Sequence, residues 1–297
     1  MRKSYYTGVP WQRFLEFTSP TANRLGVIKE ILNGTALEHE VLELDGGRHI
    51  IVSPPLPKEK YLQHPPIILV AHYDRAEGSP GANDNSAGVF LLLETAIKLK
   101  KSRVKNWIII FTDREELKTG ESLQAQGSYA LARALTNLKT ENAKIFNFDA
   151  CGIGDTLIIS TTMESLLKKE KDRKKLRESI LNLRQYALNT ARNLNMAKVL
   201  LAPVPFSDDA GFFRAGLAAQ TITVLPSAEC IQLVSELRKN PDFSDALISA
   251  EIQQEQGKQL IPETWRSLNS PTDNHIRLTP EHFHMVLRFA EALCKGA

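Results

Sequence analysis

The chain has 297 residues, a formal net charge of +3, 42% hydrophobic residues and 24% charged residues. That length is enough for one large core and the balance is ordinary for a globular protein. The mild basic excess gives no nucleic-acid-binding stripe, and no run of about 18 apolar residues exists to span a membrane.

Met1-Arg2-Lys3-Ser4-Tyr5-Tyr6-Thr7-Gly8 lacks the apolar stretch of a secretory signal. Cys151, Cys230 and Cys294 are odd in number and widely spaced, so they make neither a disulfide framework nor a Cys-x-x-Cys metal site. A reduced, cytoplasmic protein is expected.

After Trp11, Phe14, Leu15 and Phe17, apolar residues recur at helical spacing from Ala22 to Leu32, and Asn33-Gly34 stops that helix. Val41, Leu42 and Leu44 predict a strand that turns at Asp45-Gly46-Gly47 into His49-Ile50-Ile51-Val52. Ile67 to Ala71, Trp107 to Phe111 and Ile145 to Phe148 are short continuous apolar runs, the signature of strands covered on both faces. Helical patterns over Ala87–Leu99 and Gly127–Leu138 separate them. Buried strands alternating with helices predict an α/β fold with a largely parallel sheet. Further strands are expected at Leu157–Ser160, Val199–Ala202 and Thr221–Leu225, and a last helix at about Pro280–Cys294.

Two polar helical stretches, at about 163–194 and 229–259, read as insertions on a single domain covering residues 1–297. The mixed-sign run from Lys168 to Lys175 reads as a solvated helix face, and Asn240-Pro241 breaks the second stretch. No repeat, low-complexity tract or long linker interrupts the chain.

In a parallel α/β sheet, ligands bind beyond the carboxyl ends of the strands. His72-Tyr73-Asp74 follows the first buried run, Asp113-Arg114-Glu115-Glu116 the second and Asp149 the third, while Gly81-Ala82-Asn83-Asp84-Asn85-Ser86 leads into a helix. Each has an ordinary reading alone; Asp84, for instance, would serve as a helix cap. Together they gather more carboxylates than one edge holds without a cation. A mixed histidine and carboxylate donor set suits zinc, with manganese or cobalt as alternatives.

These residues resemble the zinc aminopeptidase and glutaminyl cyclase family. The likeness rests on His72-Tyr73-Asp74, Gly81-Ala82-Asn83-Asp84-Asn85, Phe111-Thr112-Asp113-Arg114-Glu115-Glu116 and Asn147-Phe148-Asp149. The intervals between His72, Asp84, Glu116 and Asp149 are 12, 32 and 33 residues. Gly127-Ser128, Gly152-Ile153-Gly154-Asp155, Ser207-Asp208-Asp209 and Phe212-Phe213-Arg214-Ala215-Gly216 extend it from about residue 20 to the C-terminus.

The resemblance implies a three-layer α/β/α sandwich of the zinc-dependent exopeptidase kind, around a mixed, largely parallel sheet. It implies that His72 and Asp149 bind one zinc, Asp84 bridges to a second and Glu116 binds the second. Asp74 would hold the other ring nitrogen of His72, and Glu115 would be the general base acting on a metal-activated water. Because neighbouring side chains point apart, Glu115 is expected to stay free of the metal while Glu116 ligates.

Two positions depart from the family. Its late His-Thr-Pro-x-Asp segment matches Asn269-Ser270-Pro271-Thr272-Asp273, which makes Asn269 a weak ligand candidate. A second alignment through Pro262-Glu263-Thr264-Trp265 puts Arg266 there instead, and a guanidinium cannot ligate. The family's Ser-Asp-His reads Ser207-Asp208-Asp209. One complete zinc site and one weakened one are therefore expected, with His275, His282 or His284 as substitutes only if they leave the exposed or capping side of the last helix.

The function implied is a zinc aminopeptidase acting on peptide N-termini or small amino-acid-derived substrates, with Asp208 and Asp209 as candidates for binding the substrate amine. A catalytically impaired homologue that binds peptide or a partner is the alternative, and glutaminyl cyclisation the third reading. A carboxypeptidase is disfavoured because no carboxylate-binding arginine stands out.

Overall fold

The three apolar runs become the centre of one eight-stranded sheet in the computed structural model, which describes residues 8–55, 65–138, 143–167, 173–240, 242–248 and 260–296. The strands are β1 (His39–Leu44), β2 (Gly47–Val52), β3 (Ile67–His72), β4 (Trp107–Thr112), β5 (Lys144–Phe148), β6 (Thr156–Ser160), β7 (Val199–Ala202) and β8 (Gln220–Leu225). Their order is β1-β2-β4-β3-β5-β8-β6-β7. β4, β3, β5 and β8 run parallel, and β6 with β7 form a parallel pair that runs against β8. The β1–β2 hairpin joins antiparallel at β4.

Side-chain alternation explains the layers. Leu69 and Ala71 of β3, Ile109 and Phe111 of β4, and Phe146 and Phe148 of β5 enter one core. Helices α1 (Trp11–Phe17), α2 (Arg24–Gly34), α3 (Gly88–Lys101), α6 (Lys174–Asn193) and α11 (Phe283–Lys295) complete that core. Ile68, Val70, Ile110 and Ile145 face the other way, onto α4 (Gly127–Asn137) and α7 (Asp208–Arg214). Near β6 and β7 that second face is covered by α8 (Ser227–Lys239), α9 (Phe243–Ile248) and α10 (Glu263–Arg266). α5 (Thr162–Leu167) follows β6. The result is the expected three-layer sandwich around a mixed sheet.

The 163–194 stretch is two helices, α5 and α6, and most of the charged run, residues 168–172, lies outside the described residues. Lys174 and Lys175 are exposed, as expected of a solvated face. Leu176, Ile180, Leu183 and Ala187 of α6 nevertheless enter the main core, so this helix is part of a layer. The second stretch breaks between α8 and α9, and residues 249–259 lie outside the described residues.

α1 had no signal in the sequence beyond its aromatic residues. Phe14 and Phe17 set it edge-on against Phe90, with ring centroids 5.0 and 5.5 Å apart. Among the described residues no helix is long and apolar enough to cross a membrane.

Candidate metal centre

Because β3 lies between β4 and β5, the three strand ends that carry the candidate residues are neighbours at one sheet edge. His72 ends β3 and is fully buried. Its Nε2 lies 3.1 Å from Asp84 Oδ1 and 3.6 Å from Asp149 Oδ1, and its Nδ1 lies 3.4 Å from Asp74 Oδ1. The other Asp74 oxygen accepts from the Glu116 N–H at 3.0 Å.

Asp84 sits in the Ala82–Ala87 turn before α3, with a non-helical backbone and a cis peptide to Asn85. It is not the helix cap. Asp273 holds this turn by accepting from the Asn83 and Asp84 N–H groups at 2.8 and 3.0 Å. The Asn85 amide donates to Phe148 O at 2.8 Å, and Asn83 Oδ1 accepts from Gly152 N at 2.7 Å. The Asp84 turn is thereby tied to both sides of Asp149.

Two clusters of ligand atoms lie within 4.8 Å of one another: His72 with Asp84 and Asp149, and His72 with Glu115 and Glu116. The second cluster corrects the expectation that neighbouring side chains separate Glu115 from Glu116. Glu115 and Glu116 lie in irregular backbone after β4, not in an extended strand, and a carboxylate oxygen of each comes within reach of His72. Side-chain alternation holds only in extended backbone.

The electrostatics match a place for a cation. Burial alone would lower the His72 pKa, but Glu115 and the adjacent carboxylates of Asp149, Asp74 and Asp84 raise it well above its ordinary value. Burial and then Asp149 raise Asp84, and burial followed by Asp84 pushes Glu116 up to about 8. Glu115 is raised by burial, with Glu116, Asp208 and Asp149 adding to it against His72. For Asp74, burial is outweighed by the adjacent His72 and the backbone N–H of Glu116, and its pKa falls. Among the described residues the buried atoms His72 Nε2, Asp149 Oδ1 and Glu116 Oε1 have no hydrogen-bond partner. Buried polar atoms are rarely left so. One imidazole and two carboxylates with unused lone pairs fit a divalent metal such as zinc.

Other expected residues fall less centrally. Asp208 and Asp209 are fully buried at the start of α7. Asp208 accepts from Thr112 Oγ1 at 2.6 Å, and Asp209 from Ser207 N at 3.3 Å. Asn269 is exposed with φ 57°, and Arg266 is exposed too. His275, His282 and His284 belong to neither metal cluster.

Two residues the sequence did not single out support the centre. Gln126, 3% exposed, donates its amide to Glu115 Oε1 at 3.0 Å and accepts from Ser128 Oγ at 3.2 Å. Arg24, at the start of α2, donates to the backbone of the Asp74 and Asp84 loops. Gln126 directly precedes the Gly127-Ser128 pair, which was the only nearby signal.

Solved structures share this fold. Legionella pneumophila LapA aminopeptidase aligns with a TM-score of 0.62 at 15% identity, over 96% of this chain and 69% of its own. Porphyromonas gingivalis glutaminyl cyclase aligns with a TM-score of 0.62 at 18% identity, over 98% and 96%. BSAP, a zinc aminopeptidase of Bacillus subtilis, aligns with a TM-score of 0.50 at 20% identity over 83% of this chain; the chain spans about half of that protein, 49%. Over 44 residues the sequence is 52% identical to aminopeptidase YwaD of Bacillus subtilis, a stretch that is 14% of this chain and 10% of that protein. The profile of peptidase family M28 matches residues 52–256, the span holding His72, Asp84, Glu115, Glu116 and Asp149, and this chain belongs to that family.

Proposed function

We propose that the protein is a zinc-dependent aminopeptidase that removes N-terminal residues from peptides. The observation that carries this reading is the His72, Asp84 and Asp149 cluster with Glu115 beside it. His72, Asp84 and Asp149 would hold one ion tightly. Glu116 and Asp84 would contribute to a second, weaker position, where Asn269 offers no imidazole. A metal bound there polarises the scissile carbonyl and lowers the pKa of water.

The remaining chemistry belongs to the chain. Asp74 holds the His72 ring and tautomer, as carboxylate partners of ligating histidines do. Glu115 takes the proton of the attacking water and passes it to the leaving amine. Gln126 fixes the Glu115 carboxylate from behind. Asp208 lies close enough to influence Glu115 electrostatically, and it would supply negative charge for a substrate's free amine. The aminopeptidase name of the YwaD match supports the substrate class.

Metal-dependent release of an amino acid from aminoacyl-anilides tests the reading. Glu115→Gln should lower kcat by at least 100-fold, within the range for loss of a general base, while zinc content stays unchanged. Equal inertness of wild type and Glu115→Gln with zinc, manganese and cobalt would sink it. The weakened second position, where Asn269 offers no imidazole, makes a non-catalytic homologue that binds peptide or a partner the second reading, and glutaminyl cyclisation is the third. N-terminal glutaminyl peptides in the same assay separate the two activities, and inertness with both substrate classes leaves the non-catalytic binder.

A further inference from the structure

We propose that Arg24 is a positioning residue for the metal centre, setting from the N-terminal helix the two loops that carry Asp74 and Asp84. The inference rests on reading His72, Asp84 and Asp149 as metal ligands. Arg24 lies outside the 52–256 span matched to the family.

Its guanidinium makes six hydrogen bonds, five of them to segments distant in sequence. Nε donates to Phe17 O at 3.3 Å. Nη1 donates to Tyr73 O and Asp74 O, each at 3.0 Å. Nη2 donates to Pro80 O at 2.8 Å, Gly81 O at 3.4 Å and Ser86 Oγ at 3.1 Å. The Phe17 ring lies 4.6 Å from Cζ and closes the remaining face.

Arg24 is 7% exposed and, among the described residues, makes no salt bridge. Burying a cation among neutral carbonyls is costly, and an apolar residue of like volume often serves packing better. What an apolar residue cannot supply is a planar set of five donors. Here those donors join the loop after β3 to the turn before α3.

The join reaches the ligands directly. Asp74, gripped at its carbonyl, turns its carboxylate to His72 Nδ1 and to the Glu116 N–H. Gly81 has φ 58°, and a Cβ there would stand 2.6 Å from Asp84 O and 2.9 Å from Arg24 Nη2. The turn therefore presses its glycine against the guanidinium and carries Asp84 three residues later. Asp273 holds the turn at Asn83 and Asp84, so Arg24 and Asp273 fix it at two separate points.

The test uses the full chain with Arg24→Met and Arg24→Lys, the second keeping the charge with fewer, unforked donors. Zinc affinity is measured by competition with a chromophoric chelator, and urea stability with and without zinc. Both variants are expected to bind zinc at least tenfold more weakly, so that zinc-induced stabilisation shrinks by about 1.4 kcal/mol or more. A purely structural role would instead lower stability equally with and without zinc. That result, or wild-type zinc affinity in a folded Arg24→Lys, overturns the proposal. Failure of the wild type to bind zinc would overturn the metal reading as well, and so separates the two.

Discussion

Asp209 is fully buried at the start of α7, and its environment predicts a measurable pH signature in the metal-free protein. Burial comes first, and together with Asp149 and Asp208 it raises the pKa from 3.8 to about 7 against hydrogen bonds from Thr221 and Ser207. Among the described residues its Oδ2 has no hydrogen-bond partner. The folded state keeps its proton to about pH 7, whereas the unfolded chain releases it near pH 4. Between those values folding binds a proton, and stability falls as pH rises, by about 1.4 kcal/mol per pH unit.

Asp209→Asn keeps the shape and removes the titration. The stability difference, mutant minus wild type, should therefore grow by about 3 kcal/mol between pH 5 and pH 8, an upper value because buried sites relax when charged. Urea unfolding of chelator-treated protein at both pH values measures it. A difference that stays the same within about 1 kcal/mol would refute the reasoning, since no proton would then be linked to this side chain.

Two further substitutions probe the centre. Gln126→Met removes the amide that donates to Glu115 Oε1 at 3.0 Å while nearly keeping the volume; kcat should fall about tenfold, the worth of one hydrogen bond to a charged group, with KM within about twofold in steady-state assays. Asp74→Asn should weaken zinc binding by about 10–100-fold, as expected for a lost carboxylate partner of a ligating histidine, measured by chelator competition.

The central sheet was legible because β3, β4 and β5 are covered on both faces, which makes each a continuous apolar run bounded by turn residues. The strand ends then read as a site, since a parallel sheet collects whatever follows its strands. The strand order was not legible. β8 pairs beside β5 although β6 and β7 precede it in the chain, and β6 runs against it; that choice is made by packing between distant segments. α1 escaped because seven residues are too few to show a period and its anchor, Phe90, is far along the chain.

In the site, the expected Glu115–Glu116 separation assumed extended backbone, but both residues lie in an irregular segment after β4, which residue type alone does not announce. Arg24 and Gln126 escaped for a different one. Arg24 meets mainly backbone carbonyls, 49 to 57 residues away around the site, and a carbonyl carries no sequence signature. Gln126 is recognisable only once Glu115 is seen to turn toward it. The aspartates at 208 and 209 were visible as letters, but their complete burial was not.

The placement of β3 at the middle of the sheet has a consequence for time as well as shape. All six of its residues are buried, and such amides exchange with solvent only when the whole domain opens. His72 ends this strand and Asp149 follows its neighbour β5, whereas Glu115 and Glu116 lie on a half-buried segment after β4. An ion held as proposed would therefore be expected to enter and leave through that segment faster than the strand unfolds, and hydrogen exchange faster after β4 than within β3 would show it.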